Sequence, residues 1–116
     1  MPKFQVPAAA ELSATRGALD ALAHPTRQRI LALLLEENKG LPYNEVAERL
    51  GFREAASIDQ HLKRLVGEVL IGNVLKRIDG KIRSVYFISD WGKDWMGRLR
   101  FDHPQMVRML LEGATA

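Results

Sequence analysis

The chain has 116 residues, 47% of them hydrophobic, and 17 Lys and Arg against 14 Asp and Glu give a formal net charge of +3. That length holds one compact domain with one core. With no cysteine, disulfides, thiolate metal sites and cysteine nucleophiles are excluded, and with no long apolar core in MPKFQVPAAA or elsewhere, a cytoplasmic protein without membrane contact is expected.

The charge is not spread evenly. Residues 1–58 hold seven basic and seven acidic side chains, so the excess lies entirely in the second half. Within residues 60–83, Lys63, Arg64, Lys76, Arg77, Lys81 and Arg83 face only Glu68 and Asp79. A positive field concentrated on one segment suits an anionic partner.

In chain order, residues 1–10 carry two prolines and little pattern, and are expected to form a flexible arm. Residues 11–23 suggest a first helix through Leu12, Leu19, Leu22 and several alanines, with Gly17 weakening it. Its small apolar face suits close packing against another helix, in this chain or in a partner copy. His24-Pro25 marks a boundary: proline restrains the residue before it and favours the first turn of the next helix. The helix from Pro25 to about Asn38 carries Ile30, Leu31, Leu33, Leu34 and Leu35, an apolar surface too wide for one neighbour, and is expected to form the centre of the core.

Two amphipathic segments follow. Val46, Ala47 and Leu50 recur at helical spacing in the first, and Ile58, Leu62 and Leu65 in the second, with Gly51 placed as a C-terminal cap between them. This is a helix-turn-helix pattern. The second helix would bury its three apolar residues and leave Ser57, Asp59, Gln60, Lys63 and Arg64 outward, a short polar set that suits a DNA major groove and equally describes a solvated surface.

After Val66-Gly67-Glu68 the period changes. Residues 73–78 and 82–88 are rich in β-branched and aromatic types around Asp79-Gly80, which predicts a two-stranded β-hairpin. With those two as the loop, Ile78 pairs with Lys81, Arg77 with Ile82, Lys76 with Arg83 and Val74 with Val85. Lys76, Lys81 and Arg83 then share one side of the ribbon. They read either as contacts to an anionic partner or as edge-strand charges that discourage aggregation.

The motifs ALAHPTRQRILALL, NEVAERLG, SIDQHLKRL and KRIDGKIRSVYFIS together resemble the winged helix-turn-helix domain of the ArsR-like transcriptional regulators, over roughly Ala18 to Ser89. The resemblance implies a mainly α fold of about five helices with a two-stranded wing. It further implies a homodimer with its recognition helices in successive major grooves, the wing on backbone or minor groove, and repression of a promoter. Carried over by position, the DNA contacts are Ser57, Asp59, Gln60, Lys63 and Arg64 on the recognition helix and Lys76, Arg77, Lys81 and Arg83 on the wing. The turn 52–56 is about one residue longer than the family spacing, which leaves Arg53 able to reach the backbone, and 66–74 is also extended. Asp59 is unusual there: its carboxylate can accept from a cytosine amino group or repel phosphate.

Many relatives release DNA on binding metal. Asp102 and His103 are adjacent and diverge by about 100° on a helix, so no metal site is expected. His24 is read as a helix-start residue and His61 as a semi-buried family position.

Ser89 or Asp90 can cap a last helix carrying Trp91, Trp95, Met96 and Leu99, a stripe that reads as core packing in preference to ligand binding. After His103-Pro104, Met106, Val107, Leu110 and Leu111 make another amphipathic stretch. The expected organisation is a flexible arm at 1–10, a winged helix-turn-helix domain at 11–89 and a helical dimerisation element at 90–116. No catalytic motif is present, so neither an enzyme nor a cofactor is expected. The alternative is a winged-helix protein-interaction module of a multiprotein assembly that binds no DNA.

Overall fold

The computed structural model describes residues 9–52, 55–99 and 105, with residues 9–12 and 55–57 described by their backbone alone. The elements run α1 (Ala9–Leu22), α2 (Pro25–Glu36), β1 (Leu41–Pro42), α3 (Tyr43–Arg49), α4 (Ala55–Gly67), β2 (Ile71–Ile78), β3 (Lys81–Ile88) and α5 (Asp90–Arg98). Among the described residues, five helices and a small antiparallel sheet form a mainly helical, winged helix-turn-helix architecture. The flexible arm expected at 1–10 and the amphipathic stretch expected at 106–111 lie outside the described residues, apart from the backbone of residues 9 and 10.

The start of α2 follows from its sequence. The His24 imidazole accepts the Thr26 backbone N–H at 3.1 Å, and Pro25 fills a first-turn position where no amide hydrogen is needed. Ile30 to Leu34 are five consecutive buried residues, so every side of this stretch meets protein. Accordingly α2 touches α1, α4, α5 and β3.

In the helix-turn-helix, Val46 anchors α3, while Ile58, Leu62 and Leu65 are fully buried from α4. Gly51, at φ 76°, ends the first helix as its position in the sequence predicts. The hairpin adopts the expected register, with Val74 opposite Val85, Lys76 opposite Arg83 and Ile78 opposite Lys81. Asp79 (φ 52°) and Gly80 (φ 79°) make the two left-handed central residues of a type I′ turn, the geometry an Asp-Gly pair favours.

The two-stranded ribbon forms as expected, and a third strand that was not expected extends its sheet. Leu41 and Pro42 pair with Tyr86 and Val85, giving a three-stranded sheet in the order β1-β3-β2. A two-residue strand has no periodicity to detect, and Pro42 can join a sheet only because β1 lies at its edge. On the other edge, the outer backbone groups of β2 have no neighbouring strand among the described residues.

Helix α5 returns to the same core. The Ser89 hydroxyl accepts the Gly92 N–H at 2.9 Å, and Trp95 and Met96 are buried among the residues of α2 and the sheet. Trp91 meets Trp95 edge to face at 5.6 Å between ring centres. Leu99, the last of the expected stripe, is half exposed.

The corner joining α4 to β2 is tightly tied. The Leu70 N–H reaches the Leu65 carbonyl at 3.0 Å and the Val69 N–H reaches that of Val66, also at 3.0 Å. Ser89 donates its hydroxyl to the Val69 carbonyl and its N–H to that of Leu70. Val69 itself has φ 61°, a left-handed conformation that penalises a β-branched residue. With its side chain 63% exposed, Val69 gains little burial in exchange. Val69→Gly is therefore expected to raise unfolding stability by about 1 kcal/mol, the relief of left-handed strain less glycine's entropy cost, as read from a urea titration.

Candidate nucleic-acid interface

The outward side of α4 follows from its buried side. At 100° per residue, Ile58, Leu62 and Leu65 define one face, and Gln60, Lys63 and Arg64 fall opposite it. Asp59 lies toward the wing, where it lines a shallow cavity with Lys63, Asn73 and Tyr86. The Lys63 ammonium pairs with the Asp59 carboxylate at 2.8 Å, and this hydrogen bond is the main cause holding the lysine above its ordinary range. Asp59 thus has a partner one turn away on its own helix, a role not read from the sequence. Arg64 reaches Glu68 at 3.5 Å. The Lys63–Asp59 pair is well exposed and contributes little stability, while the Arg64–Glu68 pair is half-buried on its carboxylate side. Of the remaining expected contacts, Ser57 is described by its backbone only, and Arg53 lies outside the described residues.

The wing divides into two faces by its register. On one, Ile71 and Ile88 enter the core, Asn73 and Tyr86 meet α4, and Leu75, Arg77, Ile82 and Ser84 continue the face to the tip. The Ser84 hydroxyl donates to the Asn73 side-chain oxygen across this face. The other face carries Val74, Lys76, Ile78, Lys81, Arg83 and Val85; Val74 and Lys76 line a groove with Lys39 and Lys93 on the α5 side. Lys76, Lys81 and Arg83 share one side of the ribbon, but it is the side turned from α4, and only Arg77 continues the α4-facing surface. The Asp-Gly turn fixes which residues share a side; the packing of Ile71 and Ile88 decides which side looks toward α4. Among the described residues, none of the four wing cations has an ion-pair partner.

Two residues that orient this surface were not singled out in the sequence. Arg29 donates to the Leu50 carbonyl at 3.1 Å, fixing the end of α3. Arg27 donates through Nε to His61 Nδ1 at 3.3 Å and reaches the Asp20 and Ala21 carbonyls, joining α1, α2 and α4. Their signal was two arginines at i and i+2 directly before the apolar run Ile30–Leu34 of the core helix. His61, semi-buried as expected, also meets the His24 ring at 4.4 Å.

This setting disfavours the imidazolium. Burial foremost, then the nearby His24 and Arg27, holds His61 below its ordinary value of 6.5, and a protonated Nδ1 would lose the Arg27 bond. Below pH 6.5, down to the folded-state value, the unfolded chain binds more protons than the folded one. Stability contributed by His61 is therefore fully present above 6.5 and lost as pH falls through that window. Urea unfolding from pH 7.5 to 5.5 is expected to show this decline, and His61→Gln to flatten it.

The described residues contain no group of three or more His, Asp or Glu able to hold a metal ion. None of the described helices is long and apolar enough to cross a membrane.

A polar helix held outward beside a β-hairpin is the arrangement of a helix-turn-helix protein with a wing. In agreement, residues 22–70 match a family model described as a helix-turn-helix domain, a span from the end of α1 to the start of the wing. No curated protein and no solved structure matches the chain.

Proposed function

We propose that the chain is a sequence-specific double-stranded DNA-binding transcriptional regulator, a repressor of the ArsR-like kind acting as a homodimer. In this reading α4 enters the major groove with Gln60, Lys63 and Arg64 foremost and Ser57 and Asp59 beside them. Arg77 follows on the same surface, while Lys76, Lys81 and Arg83 reach phosphate around the ribbon tip, and Arg53 adds a backbone contact. The observation that carries the reading is the helix-turn-helix match combined with wing cations that have no ion-pair partner among the described residues. Like charges opposed across a ladder, as Lys76 and Arg83 are, repel by a few tenths to about 1 kcal/mol, and phosphate would relieve that repulsion.

Dimerisation is assigned to α1 with the segment 90–116. Leu19 on α1 is 45% exposed and Leu99 at the end of α5 is 36% exposed, so each offers apolar surface to a second copy.

The test is the salt dependence of duplex affinity. Each phosphate neutralised contributes about 0.9 to the slope of log K against log salt. The parent is expected to bind duplex with a steep slope, and Lys76→Ala with Arg83→Ala to lower it by about 1.8. A parent with no salt-dependent duplex binding overturns the assignment in favour of a protein-interaction module.

A further inference from the structure

The wing carries two large apolar side chains with no structural employment. Leu75 is 74% and Ile82 66% exposed, the two most exposed large hydrophobic residues of those described. They are not scattered. Leu75 lies opposite Ser84 and Ile82 opposite Arg77, so the two are diagonal neighbours on one face, close enough for long side chains to touch. That face is the one continuous with Asn73, Tyr86 and the outward side of α4. An adjacent apolar pair in water gains by being covered.

Charge selects the cover. Arg77 shares the face of the pair, while Lys76, Lys81 and Arg83 are its neighbours along the strands and project from the reverse face of the same thin ribbon; none of the four has an ion-pair partner among the described residues. A second copy docking ribbon to ribbon would bring two such sets of positive charge together, which opposes that occupant. The surface that meets both demands is anionic at its rim and apolar within. The duplex minor groove has this character: phosphates border it, deoxyribose carbon and hydrogen atoms line its walls, and proteins enter it with leucine and isoleucine wedges.

We propose that Leu75 and Ile82 form an apolar wedge that seats in the minor groove next to the major groove taken by α4, packing on sugar walls while Arg77 holds the flanking phosphate. The inference rests on the DNA-binding reading and adds to it a contact that is not electrostatic. The wedge therefore governs how tightly the duplex is held without governing how steeply binding responds to salt. A surface of phosphate-contacting lysines and arginines alone would behave in the opposite way.

The experiment uses the full chain, a duplex selected from a random pool, and Leu75→Thr with Ile82→Thr, which keeps β-branched or strand-compatible residues at exposed positions. The double variant is expected to lose about tenfold to a hundredfold in affinity, as for partial burial of two aliphatic side chains, with the parent's salt slope retained. Hydroxyl-radical footprinting of the parent, which requires no variant to fold, is expected to show protected deoxyriboses in the minor groove flanking the helix-contacted site.

Unchanged affinity in the double variant, or sugars left open to the radical, overturns the wedge while a steep parent salt slope still upholds DNA binding. A shift of oligomeric state in the variant overturns it in favour of a self-association surface. A parent that binds no duplex overturns both readings together.

Discussion

Gly92→Ala is expected to destabilise the fold by about 3 kcal/mol, the upper part of the range for forcing a methyl group into packed structure. A Cβ at Gly92 would stand 2.1 Å from the Leu70 carbonyl oxygen and 2.9 Å from Ile88 Cγ1. The first neighbour is backbone, and the same carbonyl accepts the Ser89 N–H at 3.1 Å. Relief would require α5 to lift from the α4–β2 corner, taking buried Trp95 and Met96 with it. Gly17→Ala is the control: its Cβ also falls 2.1 Å from another atom, but that atom is the carboxylate oxygen of Glu68, at the end of a flexible side chain. Moving that carboxylate costs little, and alanine gains up to about 1 kcal/mol of helix propensity. Urea unfolding of both variants should therefore show a large loss for Gly92→Ala and a neutral or stabilising effect for Gly17→Ala. Equal losses would mean that α5 does not depend on this close approach.

The second large effect falls on recognition. Gln60 is near the centre of the outward face of α4, opposite Ile58, Leu62 and Leu65, and it carries no charge to be drawn toward phosphate. A glutamine there suits paired hydrogen bonds to the N6 and N7 edge of adenine, each such base contact contributing about 1–3 kcal/mol of discrimination. Gln60→Ala is expected to weaken binding to a selected duplex by that amount, to relax preference at one base pair, and to leave binding to random duplex nearly unchanged. Wing substitutions should do the reverse, weakening all duplexes alike. Equal losses on selected and random duplexes for Gln60→Ala would remove the residue from base reading.

Much of the fold was legible because its signals are local. The apolar spacing of Ile58, Leu62 and Leu65 specifies the buried face of α4, and the Asp-Gly turn pins the ribbon register without reference to anything distant. His24 and Ser89 cap the helices their sequence positions suggest. What escaped depends on contacts between remote segments. The pairing of Leu41 and Pro42 with Tyr86 and Val85 exists only once the hairpin has folded back. The left-handed Val69 contradicts its residue type and is held by hydrogen bonds that close the corner.

The candidate interface divides the same way. The outward residues of α4 follow from helical geometry, and the wing residues that share a side follow from strand alternation. The Lys63–Asp59 pair lies at i, i+4 spacing and was open to sequence reading. Which wing face turns toward α4, and the Arg27–His61 bond that ties the helix down, required the packed arrangement.

The open rim of β2 gives the wing charges a second duty. Along Ile71–Ile78 the amide and carbonyl groups on the outer side meet no further strand among the described residues, an invitation for another molecule's strand to zip alongside. Mutual repulsion between ribbons is a deterrent to such zipping, so a protein stripped of these lysines and arginines to silence it would also become stickier toward its own kind.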